Sequence, residues 1–345
     1  MKKILLSIVA LCCTMAAGAQ NSSQQLTAIL QPSEGDPTVF YGIDALKNAC
    51  NAAEDGSVIT LTSGLFNPPG DIKKSISIYG AGFEDGITEG VKRTNVNGLI
   101  RLYAEEEGSS LQSPRLEGLF VNGNIEVKQV TGLTVAKCQF GGFAVIGTDV
   151  ESTLVRQCYL TGSVNGGNYL IKGLTVKNSY IARINGGFIA NGENHVLFDH
   201  CLLAGSEWRQ NHGAATYTNN MITNDYSNDG IVSGAYSQNN IYSRGSIHEG
   251  VISENDWFGV NFSTLFSDGV SNANYGAERT FTLTEENKTK YKGTDGTEVG
   301  ITGGEYPWYK VPSTPYVKDL NATVSGTDLN VTYEAGVRST NPPTE

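Results

Sequence analysis

A cluster of residues suited to proton transfer lies between positions 199 and 212. It contains two histidines, two acids and an arginine: Asp199, His200, Glu207, Arg209 and His212. An acid and an imidazole can exchange a proton with a substrate, and an arginine can hold an anionic group. The cluster predicts either an acid–base site with a cationic subsite, extended by Arg244, His248 and Glu249, or an ordinary solvated corner. No diagnostic motif accompanies these residues, which favours the corner.

Metal and disulfide chemistry are the other uses to consider, because four cysteines follow residue 20: Cys50, Cys138, Cys158 and Cys201. No CxxC pair or histidine at ligand spacing occurs, so we expect neither a metal site nor another cofactor. The last three cysteines are separated by 20 and 43 residues, the second spacing being about twice the first. This regularity predicts free thiols at equivalent positions of a repeat.

An internal repeat of about twenty residues carries these positions. Six segments align without gaps: LTVAKCQF (133–140), TLVRQCYL (153–160), LTVKNSYI (174–181), VLFDHCLL (196–203), ATYTNNMI (215–222) and GAYSQNNI (234–241). A helical period cannot produce such alignment. A chain that coils once per repeat, and pairs each strand with its equivalent in the next coil, produces it directly.

The aligned positions form columns that predict the interior. Two columns are apolar: Val135, Val155, Val176, Phe198, Tyr217, Tyr236, and Phe140, Leu160, Ile181, Leu203, Ile222, Ile241. A third holds small polar residues: Cys138, Cys158, Ser179, Cys201, Asn220 and Asn239. Stacked asparagines can hydrogen-bond along the coil axis, so we expect this column to be buried as well.

A fourth column, Gln139, Tyr159, Tyr180, Leu202, Met221 and Asn240, should face outward. We call its four large residues, Tyr159, Tyr180, Leu202 and Met221, the apolar stripe. A contiguous apolar stripe indicates a contact surface, either a binding site for sugar or protein or a face covered by the segment 260–335. Leucine and methionine are poor sugar partners, which favours a cover or a protein contact.

The two ends of the chain differ from the repeats. Residues 1–19 are typical of a signal peptide, with Lys2 and Lys3 before an apolar run and Ala17-Gly18-Ala19 as the cleavage site. Residues 20–37 are interpreted as a linker, and residues 311–345 as a β-hairpin extension and tail. No other apolar run approaches the length of a membrane span. Export to the periplasm, cell surface or medium is therefore expected.

The segment before the repeats supports a family resemblance. Residues 41–55 have helical spacing and are followed by the strand-like residues 57–61. The runs DALKNACNAAEDGSVITLTSGLF (44–66) and SISIYGAG (75–82) resemble the entry of the pectin-lyase-like superfamily. TDGTEVGITGGEYPW (294–308) resembles the closing segment of secreted β-helix proteins of the Bacteroidetes. The resemblance implies a right-handed parallel β-helix over residues 38–310 with an N-terminal helical cap.

Composition agrees with an all-β fold, because 41 glycines in 345 residues and only 17% charged residues exclude helical bundles. The net charge of −11 disfavours nucleic acid as a partner. The polysaccharide-cleaving relatives imply acids converging on neighbouring coils, and none recur in register here. The sequence therefore predicts a secreted, non-catalytic β-helix protein that binds carbohydrate or a cell-surface protein. The alternative is a lyase or glycoside hydrolase acting on acidic polysaccharide.

Overall fold

The chain folds as a parallel β-solenoid, seen in a computed structural model that describes residues 26–87, 91–189, 193–204, 215–223, 234–247, 249–313, 315–325 and 328–337. The described part contains a 14-stranded sheet, a 13-stranded sheet and a separate two-stranded sheet. The predicted all-β class and the coil-by-coil pairing are confirmed. The right-handed sense of the coil stays a prediction.

The first sheet stacks one strand from each coil. Its parallel strands, in stacking order, are Val58–Leu61, Ser77–Tyr79, Arg115–Glu117, Thr134–Ala136, Val150–Arg156, Ile171–Lys177, His195–Asp199, Ala215–Thr218, Tyr236–Gln238 and Ile252–Glu254. Two short strands, Leu111–Gln112 and Val130–Thr131, extend it beside Val150–Arg156. Because each strand pairs with its equivalent in the next coil, one repeat position becomes one row of side chains.

The second sheet takes the next part of every coil. Its main path is Gly64–Phe66, Thr94–Val96, Phe120–Val121, Gln139–Phe140, Tyr159–Asn165, Tyr180–Gly186, Leu202–Leu203, Met221–Ile222 and Ile241–Tyr242. A branch follows Asp71–Ile72, Ile100–Tyr103, Ile125–Lys128 and Phe143–Val145. The branch joins the main path at Tyr159–Asn165, a strand long enough to pair with both.

The predicted interior columns hold through five coils and shift by one residue in the sixth. Val135, Val155, Val176, Phe198 and Tyr217 share one register and are buried. In the sixth coil Ser237 pairs with Tyr217, and Tyr242 pairs with Ile222, so the predictions of Tyr236 and Ile241 for these columns were wrong. A one-residue slip moves a side chain to the other face of a strand, so Tyr236 points outward.

The small polar column is a buried hydrogen-bonded ladder. Asn220 Oδ1 accepts from the backbone N–H of Cys201 at 2.8 Å, and its Nδ2 donates to Asn240 Oδ1 at 2.9 Å. The ladder therefore continues through Asn240, which corrects the prediction of Asn239 for this row. Asp256 ends it, because its Oδ1 accepts from the backbone N–H of Asn240 at 2.8 Å.

The four cysteines after residue 20 are free thiols, and for the three at repeat positions this confirms the prediction. Cys138, Cys158 and Cys201 are fully buried in the same row as the asparagine ladder. Burial in this apolar interior raises the pKa of the Cys158 thiol to about 12. These thiols therefore act as small packing groups rather than as reactive ones.

At the N-terminal end, a helix and two strands precede the parallel stack. The helix Ala45–Ala52 buries Ala45, Leu46 and Ala49 in the solenoid core. The strand Thr27–Gln31 is buried and pairs antiparallel with Thr38–Tyr41 and with Val58–Leu61, the first coil. Residues 27–31 are thus part of the sheet, which corrects their assignment to a linker. The function of the helix as a cap stays a prediction.

The solenoid ends at Trp257, earlier than the predicted residue 310. Residues 258–313, which we call the covering segment, have little regular structure, with the 3₁₀ helix Phe262–Thr264 and the helix Glu285–Lys290. No aligned repeat segment falls within them, since the last one ends at residue 241. After them, Pro315–Ser325 and Asp328–Val337 form the predicted antiparallel hairpin. The predicted signal peptide lies outside the described residues.

Candidate functional site

The apolar stripe lies under the covering segment. Tyr180 is 6% exposed, and Leu202 and Met221 are fully buried. They form a second core with side chains of the covering segment, which include Phe262, Leu265, Phe266, Phe281, Leu283, Val299, Ile301 and Trp308. Ile241, which stands where Asn240 was predicted, extends the same row. The stripe is thus a packing surface. Its contacts match the prediction that a later segment of the chain covers it, rather than the prediction that it binds sugar.

Aromatic contacts fix the covering segment on the two tyrosines of the stripe. The ring of Tyr275 stacks on that of Tyr159, with centroids 3.7 Å apart and planes 14° apart. Tyr180 meets Tyr275 edge to face at 5.4 Å, and its hydroxyl accepts from the backbone N–H of Tyr275 at 3.1 Å. Each contact combines apolar area with defined ring geometry, which holds the segment in one position.

A row of bend residues fastens the other side of the segment. One residue per coil has a left-handed backbone, with φ between 45° and 58°: Lys137, Gln157, Asn178, His200, Asn219 and Asn239. Their side chains point out of the coil and bond to backbone or hydroxyl groups of Val311, Pro307, Gly303, Thr297, Thr294 and Lys292, in that order. Because the partner number falls as the coil number rises, the covering segment returns antiparallel to the direction of coiling.

Two of the predicted acid–base residues belong to this row of contacts. His200 is buried, with Nδ1 3.1 Å from Asp199 Oδ1 and Nε2 3.1 Å from Thr297 Oγ1. Asp199 Oδ1 also accepts from Thr218 Oγ1 at 2.8 Å and from Asn219 Nδ2 at 2.9 Å. Burial alone would raise the pKa of Asp199, but the hydrogen bonds from His200, Thr218 and Asn219 hold it below its ordinary value.

An acid, an imidazole and a hydroxyl are also the parts of a nucleophilic triad. The surroundings of Asp199, His200 and Thr297 therefore determine whether these residues could act on a substrate. Thr297 Oγ1 accepts from the backbone N–H of Gly304 at 2.7 Å and donates to Asp295. A Cβ added at Gly303 or Gly304 would come within 2.9 Å of the imidazole. Because the backbone of Gly303 and Gly304 packs directly on the ring, a substrate has no space there. We call the arrangement of Asp199, His200 and Thr297 the latch, because it attaches the covering segment to the solenoid.

The rest of the predicted acid–base cluster falls mostly outside the described residues. Glu207, Arg209, His212 and His248 lie outside the described residues. Arg244 and Glu249 follow the strand Ile241–Tyr242, two coils beyond His200. The geometry therefore assigns Asp199 and His200 a structural role and leaves the larger cluster a prediction.

The latch predicts acid sensitivity. A carboxyl whose pKa is lower in the folded than in the unfolded chain stabilises the fold above the unfolded pKa, and this contribution disappears as pH falls through the folded pKa. We expect Asp199→Asn to lower the free energy of unfolding by about 1–2 kcal/mol at pH 5 and by progressively less towards pH 2. Urea denaturation at a series of pH values measures this difference.

The control is Glu105→Gln, which removes an exposed carboxyl paired with Lys73 at 2.8 Å. Its stability should follow the wild-type curve closely, because exposed pairs contribute little. Lys177 also faces Asp199, at 3.8 Å, and keeps its charge throughout this pH range. A constant difference between Asp199→Asn and wild type from pH 5 to pH 2 would contradict the latch.

Buried charges hold the last residues of the covering segment. Glu117 is fully buried, and one of its oxygens accepts from both the backbone N–H and the hydroxyl of Ser313, at 2.7 and 2.6 Å. Lys137 is also buried and donates to the carbonyl of Val311 at 2.6 Å. Burial lowers the pKa of Lys137 to about 8, partly offset by Glu117. Through these contacts, the end of the covering segment lies beside the coil that contains the strand Arg115–Glu117.

The covering segment contains a cavity that sequence analysis did not predict. It has a volume of about 680 Å³, within the range of small-ligand sites. It is lined by two aromatic side chains, Trp308 and Tyr309, and by charged and hydroxyl groups. The polar lining residues are Glu278, Arg279, Thr280, Thr282, Lys288, Glu298, Thr302 and Lys310. An aromatic wall with several polar groups is the combination that sugar sites use.

Three residues of this lining carry a buried polar atom with no hydrogen-bond partner in the described chain. They are Arg279 Nη2, Thr302 Oγ1 and Trp308 Nε1. Arg279 and Trp308 are each only 8% exposed. A buried polar group without a partner costs about 1–3 kcal/mol, and four other such atoms occur elsewhere in the described chain.

The guanidinium of Arg279 is held so that one nitrogen remains free. Its Nε donates to Asp268 Oδ2 at 2.6 Å, and its Nη1 donates to the carbonyls of Asn272 and Asn274 at 2.9 and 3.1 Å. The rings of Phe266 and Phe281 lie 5.0 and 4.7 Å from its central carbon. Three hydrogen bonds and two ring contacts thus fix the side chain in position.

The sequence does not predict this site, because its residues come from three separate stretches, 277–288, 298–302 and 307–310. None of these stretches has a periodic pattern that would place it on a strand. One local signal was present: Tyr306, Trp308 and Tyr309 lie within four residues in a chain that has three tryptophans in all. Such a concentration of aromatic residues outside a repeat indicates a binding or packing surface.

Two features are absent from the described residues, a cluster of metal-ligating side chains and a membrane-spanning helix. Within those ranges, no three His, Cys, Asp or Glu side chains are grouped so that they could hold a metal ion. No helix there is both long and apolar enough to cross a membrane.

Comparison with known proteins yields no relative: the chain matches no protein-family model, no curated protein and no solved structure.

Proposed function

We propose that this protein is exported and binds carbohydrate without cleaving it, at the cavity of the covering segment. The observation that carries the proposal is the lining of this cavity, in which the aromatic side chains of Trp308 and Tyr309 stand beside eight charged and hydroxyl-bearing residues. Sugars are rich in hydroxyl oxygens that accept hydrogen bonds, and their apolar ring faces pack on aromatic side chains. The β-solenoid is compatible with such a function, and the predicted signal peptide supports export.

Two further features support binding over catalysis. The predicted acid–base pair Asp199 and His200 is closed off by Gly303 and Gly304, which pack against the imidazole. The guanidinium of Arg279 is fixed by Asp268 and by backbone carbonyls, as a preorganised recognition group is. A rigid, partly open cavity of this kind suits a ligand that is held and released unchanged.

The test is isothermal titration calorimetry of the full chain against a panel of neutral and uronic-acid oligosaccharides. For a ligand that binds, Trp308→Phe should weaken the affinity at least tenfold, because the smaller ring removes part of the aromatic wall on which the sugar packs. The matched control is Trp257→Phe. Trp257 lies at the end of the solenoid and lines a different cavity, so this variant should bind as wild type does.

Two results would overturn the proposal. One is that no oligosaccharide of the panel binds. The other is that Trp308→Phe and Trp257→Phe bind equally well, which would place the site elsewhere. The same panel is incubated with the protein and its ultraviolet absorbance followed, because lyase cleavage of a uronic-acid polymer creates an absorbing double bond. A steady rise in absorbance would favour the lyase alternative.

A further inference from the structure

The charge around the cavity restricts which carbohydrate it can hold. Its lining contains three cations and two acids. Each of the cations is already paired with a carboxylate: Arg279 with Asp268 at 2.6 Å, Lys288 with Glu285 at 2.7 Å, and Lys310 with Glu84 at 2.6 Å. These three partner acids are not among the lining residues.

The net charge around the cavity is therefore negative. Three cations stand against five carboxylates, since Glu278 and Glu298 of the lining add to the three partner acids. The net charge of the whole chain, −11, has the same sign. An anionic ligand entering this cavity would meet repulsion and would compete with acids that already hold the cations. Electrostatics therefore disfavour uronic acids at this site.

The hydrogen-bonding groups of the lining point to the same conclusion. The hydroxyls of Thr280 and Thr282 can donate or accept, and the ammonium group of Lys310 can donate. A hydroxyl oxygen can accept from these donors, while its own proton can be donated to a carboxylate such as that of Glu298. A neutral sugar therefore matches both the donors and the acids of the lining, whereas a sugar carboxylate matches the donors alone.

We infer that the cavity is specific for neutral sugar residues and discriminates against uronic acids. This inference rests on the proposed carbohydrate-binding function and adds the class of ligand. It is opposite to the acidic polysaccharide that the lyase or hydrolase alternative would require. Repulsion from the acids of the lining is the physical basis of the discrimination, so it should weaken as salt screens the charges.

The test uses matched polymers, polygalacturonate and the same polymer after reduction of its carboxyl groups to hydroxymethyl groups, together with the equivalent pair from a glucuronan. Calorimetry with the full chain in 50 mM and 500 mM salt measures the dissociation constant of each. For at least one pair, we expect the reduced form to bind at least tenfold more tightly at low salt. At high salt, or in Glu278→Gln/Glu298→Gln, the ratio should decrease.

The outcomes separate this inference from the function on which it rests. Equal or tighter binding of the acidic forms would overturn the neutral specificity while leaving carbohydrate binding in place. A preference for the reduced polymer that neither salt nor the double variant changes would overturn the electrostatic basis. If neither member of either pair binds, neutral oligosaccharides of glucose, galactose and mannose are tested in the same way. Failure of all of them would overturn both proposals.

Discussion

Replacing Tyr159 and Tyr180 together with alanine should lower the free energy of unfolding by about 4–6 kcal/mol. Both rings are packed against Tyr275, and Tyr180 also contacts Phe281. Their removal opens a cavity between the solenoid and the covering segment, and burial of an aromatic side chain typically contributes several kcal/mol. The backbone N–H of Tyr275 would also lose its acceptor on the Tyr180 hydroxyl. Chemical denaturation followed by circular dichroism measures the loss.

The control for this variant is Tyr41→Ala, because Tyr41 is 57% exposed. Exposed positions of this kind usually change stability by less than about 0.5 kcal/mol. A double variant as stable as Tyr41→Ala would mean that the two stripe tyrosines are open to solvent. The sugar-platform interpretation would then replace the cover, and the covering segment would not lie where its contacts place it.

Asn220→Leu should destabilise the chain by about 3–5 kcal/mol, considerably more than Cys158→Ala. The Asn220 side chain accepts from the N–H of Cys201 and donates to the carbonyl of Phe198 and to Asn240 Oδ1, all within 2.9 Å. Leucine can replace none of these bonds, and each buried group left unpaired costs about 1–3 kcal/mol. Leucine also brings extra volume and a branch point into a closely packed row.

Cys158→Ala is the matched comparison, because Cys158 occupies the same row three coils before Asn220. Its sulfur is 3.2 Å from the carbonyl of Arg156 and 3.5 Å from that of Val135, contacts that a thiol makes only weakly. We expect a loss of about 1–2 kcal/mol from the missing atom. Urea denaturation of both variants decides the comparison. Similar losses would show that hydrogen bonds along the row contribute little beyond packing.

The repeat in the sequence was sufficient to predict the solenoid and most of its interior. Val135, Val155 and Val176 lie in one buried row because each coil repeats the same alternation of side chains. The prediction was wrong by one residue in the sixth coil, where Ser237 and Tyr242 take the interior positions. Two asparagines, Asn239 and Asn240, follow each other there, so the residue types alone could not decide which one enters the ladder.

The candidate site could be predicted only in part. The outward position of Asp199 and His200 followed from their place between strands, and the apolar character of the stripe followed from its column. What contacts them did not follow, because the partners Thr297 and Tyr275 are about 95–115 residues away along the chain. Contacts of this separation leave no periodic signal, so a solvated corner and a buried latch have the same local sequence.

By itself, the sequence determined the class of fold, the coil length and the rows of residues that fill the core, because strand pairing between successive coils translates a linear repeat directly into stacked side chains. Only the tertiary structure decided that the solenoid ends at Trp257, that the following residues return over the apolar stripe, and that Arg279, Thr302 and Trp308 line one cavity. The covering segment has no repeat of its own. Its path is set by burial of aromatic side chains and by six bend residues that supply its hydrogen-bond partners, and such contacts exist only once the solenoid has formed.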